Sequence, residues 1–273
     1  MSSNFDKIAP FYGFLEGVLF GSRMQRMRCA HLDHMSGRRE ILLVGEGTGL
    51  FLERLLEVNA QAKVTVVEQS EQMMKRAKRR VAEKDLRRVT FRKLSFEKFD
   101  SSKRFDAVCT LFFWDCFTQG QIRSMLPLLE RHSKRGALWL DVDFFENPHG
   151  STRTGIWHYL LIRFLYGFFG LATGIEARRI VNIEPLAKEN GFSRMATTRS
   201  DQFPMSARIF KKENPASMAV VSHRNDSQVR VIRNSRNSIS QSEPDVQSKI
   251  PYSLKDCLML LSGLPIGLTC GIV

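Results

Sequence analysis

The sequence predicts an α/β protein built on a doubly wound, mostly parallel, seven-stranded Rossmann-like sheet. Three observations carry this. Short runs of almost wholly apolar residues recur along the chain, as in strands buried on both faces of a parallel sheet. Amphipathic stretches of helical period separate them, so strand and helix alternate. The first run ends in a glycine-rich turn, Gly45-Glu46-Gly47-Thr48-Gly49, that opens into one of those helical stretches. Right-handed crossovers then place a ligand at the carboxyl ends of the strands.

Residues 5–35 are expected to be helical, with Phe11, Phe14, Leu15, Val18, Leu19, Phe20, Met24, Met27 and Leu32 as the apolar stripe, and Ser36-Gly37 as the break. Residues 41–44 form the first strand. Leu50, Phe51, Leu55, Leu56 and Val58 form the buried side of the helix after it. Residues 64–67 form a second strand ending in Glu68, and 71–86 a helix that buries Met73, Met74, Ala77, Val81 and Leu86. Strands follow at 89–91, 107–111 and 137–142, with a helix at 119–132 between the last two. Residues 157–172 are expected to form an apolar helix; Arg163 and Gly167 interrupt it and make it a poor membrane span. A helix near 183–190 stops at Asn190-Gly191. Strands at 194–200 and 205–211, joined by a tight turn, complete a mixed sheet near residue 212.

Of the 273 residues, 43% are hydrophobic and 25% charged, as in an ordinary soluble protein. The net charge of +13 favours acidic partners: nucleic acid, anionic lipid or an anionic small substrate. Cys29, Cys109, Cys116, Cys257 and Cys270 show no C-x-x-C spacing and read as reduced thiols. The N-terminus lacks a secretory signal, so a cytoplasmic location is expected. Residues 1–212 are expected to form one domain, with 1–35 its helical lid. Residues 213–251 are polar and expected to be a disordered linker. Residues 252–273 are apolar, and three readings stay open: a membrane anchor, a docked helix or a truncated continuation.

A glycine turn between strand and helix presents backbone N–H groups and a helix N-terminus to an anionic ligand group. The spacing here is G-x-G-x-G. A dinucleotide site wants its last glycine where Leu50 stands, and a P-loop wants a lysine that is absent. Glu68 lies about 20 residues on, where an acidic residue accepts hydrogen bonds from ribose hydroxyls.

On these features the chain resembles the class I S-adenosylmethionine (SAM)-dependent methyltransferases, and among them the ubiquinone/menaquinone biosynthesis branch. The residues carrying the resemblance are Phe5-Asp6-Lys7-Ile8-Ala9-Pro10-Phe11-Tyr12, Val44 to Gly49, Val67-Glu68-Gln69-Ser70, Phe105-Asp106-Ala107-Val108 and Gly136-Ala137-Leu138-Trp139-Leu140. The resemblance implies a methyltransferase with SAM as cofactor. Gly45, Gly47 and Gly49 would hold its methionine part, Glu68 and Gln69 its ribose, and Ser95 and Phe96 its adenine. Leu111 would line the pocket and Tyr12 would close over it. Two positions depart from the family: Leu43 stands where an acidic residue is usual, and Leu94-Ser95-Phe96 lack the acidic residue near adenine. Glu46 is a substitute for the first of these, facing the methionine ammonium.

The segment Leu111-Phe112-Phe113-Trp114-Asp115-Cys116-Phe117 should face the transferred methyl group. It suggests an apolar or aromatic small-molecule acceptor, with Asp115 orienting or deprotonating it; equally, Asp115 could cap the following helix. Asp141 and Asp143 could reach this site or be solvated. His31 and His34 share a helix face near Cys29 and Asp33, but no second ligand pair has a metal-site spacing, so no metal is expected. The basic run Lys75-Arg76-Ala77-Lys78-Arg79-Arg80, continuing to Arg87-Arg88, reads as a solvated face. It leaves open contact with an anionic membrane surface, and an RNA methyltransferase as an alternative, although nucleic acid is not the expected partner. A SAM-binding regulatory or scaffold protein without methyl transfer is a further alternative.

Overall fold

The computed structural model describes residues 20–145, 177, 179–201 and 203–213. All of them belong to one of the two units into which the chain divides, Met1–Ser227. The expectations for residues 1–19 (with Tyr12), for 157–172, for the linker beyond Glu213 and for 252–273 lie outside the described residues.

Seven strands form one sheet: β1 (Glu40–Val44), β2 (Lys63–Glu68), β3 (Val89–Lys93), β4 (Phe105–Leu111), β5 (Ser133–Phe144), β6 (Phe192–Arg199) and β7 (Met205–Lys212), in the order β3-β2-β1-β4-β5-β7-β6. β1 to β5 pair in parallel. β7 lies antiparallel between β5 and β6. The sheet is therefore mixed. The physical reason is the short link at residues 200–204, which can only turn the chain back on itself; a parallel return needs a crossover of a dozen residues or more.

Side chains alternate between the two faces. Ile41 and Leu43, Val64 and Val66, Cys109 and Leu111, Leu140 and Val142 meet α1 (Arg23–Arg28) and α2 (Leu50–Val58) in one buried cluster. Leu42 and Val44, Val67, Val108, Trp139 and Phe210 meet α5 (Gln119–His132) and α6 (Ile183–Glu189) in the other. Leu43, the departure from the family's acidic residue, is fully buried in the first cluster.

Four expectations change. Among the described residues the N-terminal segment is not one helix: α1 ends at Arg28, and a 3-10 turn follows at Leu32–Met35. The stretch 71–86 is two helices, α3 (Glu71–Arg80) and α4 (Glu83–Leu86), because Val81 leaves the helical conformation (ψ 123°) while its side chain stays buried. Leu86 and Val58, read as buried, are 43% and 47% exposed, since each falls at a helix end that no neighbouring element covers. Arg88, read as part of a solvated basic run, is a structural clamp. Its guanidinium donates to the Leu56 and Asn59 carbonyls, both at 2.7 Å, and pairs with Asp85 at 3.0 Å. Those carbonyls belong to the end of α2, where helix C=O groups lack intrahelical partners.

Candidate functional site

The turn after β1 is held at its start by the Gly45 N–H, which donates to the Val67 carbonyl at 2.9 Å. Gly45, Gly47 and Gly49 all have left-handed φ values of 66°, 68° and 88°, a region costly for residues with a Cβ. Their surroundings differ. A Cβ on Gly45 would lie 2.6 Å from the Phe113 ring, and one on Gly49 2.6 Å from the Ala77 Cα in α3. A Cβ on Gly47 would meet nothing within 4 Å. Two of the glycines thus answer to the protein's own packing. The third faces open space at the carboxyl edge of the sheet, where a ligand has room.

Glu68 is half-buried beside Gly47. Its carboxylate accepts from the Gly47 N–H at 3.0 Å and the Ser70 N–H at 2.8 Å, which ties the end of β2 to the turn. Gln69 follows it, exposed. Ser70 turns its hydroxyl into α3 and accepts from the Met73 N–H at 3.1 Å.

Glu46 points the other way. Its side chain is buried, and Oε1 accepts from the Phe51 and Leu52 N–H groups at 3.1 and 3.0 Å, so it caps the first turn of α2 from inside. Burial pushes its carboxyl up to about 7; those two amides and the nearby Arg28 guanidinium pull down only in part. Only Oε1 is committed to the helix end; Oε2 is buried with no hydrogen-bond partner among the described residues.

Ser95 opens a 3-10 turn, Phe96–Lys98, after β3. Phe96 is buried, and its ring stands edge-on to Phe113 with centroids 6.2 Å apart. Phe113 therefore links the turn after β1 to the turn after β3. Leu111, the last residue of β4, is buried against the opposite face of the sheet.

After β4 the backbone turns sharply. Phe112 has φ 54°, a strained value for a side chain this bulky, and its N–H donates to the Val142 carbonyl at 2.6 Å. The Arg28 guanidinium lies over the Phe112 ring, 5.2 Å from its centroid. A 3-10 turn, Trp114–Cys116, follows. Asp115 does not cap the next helix. Thr118 does, through a reciprocal capping box in which Gln121 reaches back to the Thr118 N–H at 2.8 Å. Asp115 instead donates its own N–H to Asp143 Oδ2 at 3.1 Å and accepts from the Cys116 thiol at 3.4 Å.

Asp141 and Asp143 are not solvated: both are buried, on the face of β5 that meets α5. Asp141 accepts from the Thr110 hydroxyl at 3.0 Å and pairs with Arg208 of β7 at 2.6 Å. Strand register places Asp141 opposite Arg208, so the pair forms across the sheet. Thr110 in turn accepts from the Trp114 and Trp139 indoles at 3.1 and 2.8 Å. Burial raises the carboxyls of Asp115, Asp141 and Asp143. Asp143 stands highest in cause, because the neighbouring Asp115 and Asp141 carboxylates add to its burial.

Phe113 over Gly45, the Thr110 relay and the Asp141–Arg208 pair are contributions that reasoning from sequence missed. A signal was present: Asp141, Asp143, Ser206 and Arg208 alternate with apolar residues in strands otherwise fit for a core. Their pairing depended on a register that no local pattern reveals.

The other sequence candidates stand apart from this edge. His31 and His34 pack edge-on at 5.5 Å, and no group of three or more metal-type ligands occurs among the described residues. Among the basic residues of α3, Lys75 pairs with Glu71, Lys78 lies over Phe91, and Arg79 and Arg80 end the helix. No helix among the described residues is long and apolar enough to cross a membrane.

Residues 41–136 match the family model of the methyltransferase domain. No curated protein sequence matches the chain. Among solved structures it is similar to a mitomycin 7-O-methyltransferase, with a TM-score of 0.59 and 11% identity over 77% of this chain and 61% of the other. Human N-acetylserotonin methyltransferase in complex with SAM gives 0.57 and 16%, over 76% and 56%. Magnesium protoporphyrin IX methyltransferase from Synechocystis, with bound S-adenosylhomocysteine, gives 0.55 and 17%, over 77% and 94%. The chain spans about three fifths of the length of the first two. The fold is that of these methyltransferases, and residues 41–136 match the methyltransferase domain.

Proposed function

We propose that this chain is a SAM-dependent methyltransferase acting on a small, apolar or aromatic acceptor. The observation that carries the reading is the turn after β1: Gly47 faces open space, and Glu68 is fixed beside it on the Gly47 and Ser70 amides. That arrangement fits a ligand with a ribose diol near Glu68 and an amino-acid carboxylate near the turn. When bound, SAM supplies a methyl group on a positively charged sulfur, already reactive toward a nucleophile. The protein's part is then alignment and, for some acceptors, removal of a proton.

Gly45, Glu46, Gly47, Gly49, Glu68 and Gln69 would hold the methionine and ribose parts, and Ser95 and Phe96 the adenine. Leu111 would line the pocket from the end of β4, and Tyr12 would close it. The aromatic residues Phe112, Phe113 and Phe117 support an apolar acceptor. We keep the resemblance to the ubiquinone/menaquinone branch within this reading. We likewise keep a domain at 1–212 with 1–35 as its lid, a linker at 213–251 and an apolar segment at 252–273. An RNA substrate is less well supported, because the basic residues of α3 are engaged within the protein: Lys75 pairs with Glu71 and Lys78 lies over Phe91.

Calorimetry with SAM, S-adenosylhomocysteine and NAD tests the cofactor. Both sulfur compounds should bind and NAD should not. Gly47→Val should abolish SAM binding, because the added side chain fills the open face of the turn; the left-handed φ at this position also lowers the thermal transition, so binding is measured where the variant is still folded. Binding of NAD alone, or unchanged SAM affinity in the folded variant, would overturn the assignment.

A further inference from the structure

We infer that the amino edge of the sheet, at the starts of β1, β2 and β3, is a docking surface for an anionic lipid bilayer: exposed cations meet the headgroups, and Val58 and Leu86 enter the interface. The inference goes beyond the proposed methyl transfer and does not rest on it.

Strand register sets this surface. β1, β2 and β3 are parallel neighbours, with Glu40 opposite Lys63 and Val64 opposite Val89, so their first residues lie side by side. The Lys63 N–H donates to the Arg39 carbonyl at 2.7 Å and the Val64 N–H to the Arg88 carbonyl at 2.8 Å, which extends the row one residue before β1 and β3. Arg88 then gathers two helices onto the row. Its guanidinium holds the Leu56 and Asn59 carbonyls at the end of α2, and Asp85 in α4. Val58 stands in sequence between the two held residues of α2 and is 47% exposed; Leu86 follows Asp85 and is 43% exposed. Single exposed apolar side chains are ordinary. Here two of the three large ones among the described residues flank one clamp.

Charge supplies the second half of the argument. Arg39, Lys63, Lys84 and Arg87 are exposed along this edge, and none of the four forms an ion pair among the described residues. The carboxylates nearby are mostly engaged within the chain: Asp85 on Arg88 at 3.0 Å, Glu57 on Arg54 at 2.7 Å, and Asp106 on the Arg39 and Glu40 amides at 3.1 Å. Glu40 and Glu83 offset the cations only in part. The edge is therefore basic, on a chain of net charge +13. Charge alone would suit a nucleic acid or an acidic protein equally. Val58 and Leu86 select the bilayer: cations gain from anionic headgroups while apolar side chains leave water at the acyl boundary. A phosphate backbone offers those two side chains no apolar contact. The surface lies at the opposite end of the strands from Gly45 and Glu68, so the two edges can be tested apart.

Co-sedimentation of the full chain with vesicles of equal parts phosphatidylcholine and phosphatidylserine tests the surface. Variants decide the result, because the apolar residues 252–273 belong to the same chain. Lys84→Gln together with Arg87→Gln should weaken binding by on the order of tenfold or more and flatten its dependence on salt. Val58→Ser together with Leu86→Ser should weaken it several-fold and leave the salt dependence as it was. The thermal transition shows each variant folded. Absence of binding by the wild type, or binding unchanged in either folded variant, would overturn the inference. So would tighter binding to duplex RNA than to the vesicles, lost in the Lys84/Arg87 variant; the edge would then be a nucleic-acid surface. Calorimetry with SAM reads the other edge separately. Neither variant should change SAM affinity, and a wild type that binds vesicles but not SAM would remove the enzymatic reading and leave this surface.

Discussion

The turn after β1 and the turn after β4 meet at one edge of the sheet, yet they are made of opposite materials. The first is backbone. Left-handed glycines shape it, Phe113 and Ala77 crowd two of them, and a single carboxylate, Glu68, ties its amide to the next strand. The second is side chain. Phe112 is forced into the left-handed region, and behind it lie Thr110, Asp141, Asp143 and Arg208, all buried. The difference is physical. Backbone N–H groups can meet a ligand wherever no Cβ intervenes, whereas carboxylates taken out of water must be paired or hydrogen-bonded to be tolerated.

The largest effect should come from breaking the side-chain region. Arg208→Met leaves Asp141 without its cation in the core and should cost about 3–5 kcal/mol in urea denaturation. Adding Asp141→Leu should recover much of that loss, since a buried ion pair replaced as a whole is often neutral. If Arg208→Met alone is nearly neutral, the contrast between the two turns fails, because Asp141 then needs no cation.

A middle-sized effect is expected on the backbone side, from Glu46. Its carboxyl is raised to about 7 in the folded chain. Between the ordinary carboxylate range and about 7 the folded state therefore holds a proton that the unfolded state has released. Stability should fall as pH rises through that window, by roughly 3–4 kcal/mol in all, and no further above it. Glu46→Gln should remove this slope in denaturation curves taken from pH 5 to 8. A slope unchanged in the variant would show that the proton resides elsewhere.

The smallest effect tests which residue caps α5. Thr118→Ala removes the capping box and should cost about 1 kcal/mol of stability. Asp115→Ala should cost clearly less, because Asp115 is not the cap. The reverse order would return Asp115 to a helix-capping role and weaken its assignment to the acceptor site.

The parallel half of the sheet was legible because it depends on local signals. Apolar runs at 41–44, 64–67 and 107–111 lie inside β1, β2 and β4, and each became a strand. Glycine spacing likewise marked the turn, since a left-handed backbone demands glycine wherever the residue sits in the fold. Helix 71–86 was misread at its end for the opposite reason. Val81 fits the apolar period of one helix and stays buried, but its backbone, with ψ 123°, has already left it.

What the sequence by itself determined, then, was the alternation of elements, the turn after β1 and its place at the carboxyl edge of the sheet. These follow from periods of two and 3.6 residues and from the dihedral freedom of glycine, which are properties of short stretches. Only the tertiary structure decided that Glu46 turns inward, that Arg88 clamps α2 and that Asp141 and Asp143 are buried together with Arg208. Residues 141 and 208 meet through strand register, and a charge reads as solvated or buried only after its distant partner is in place.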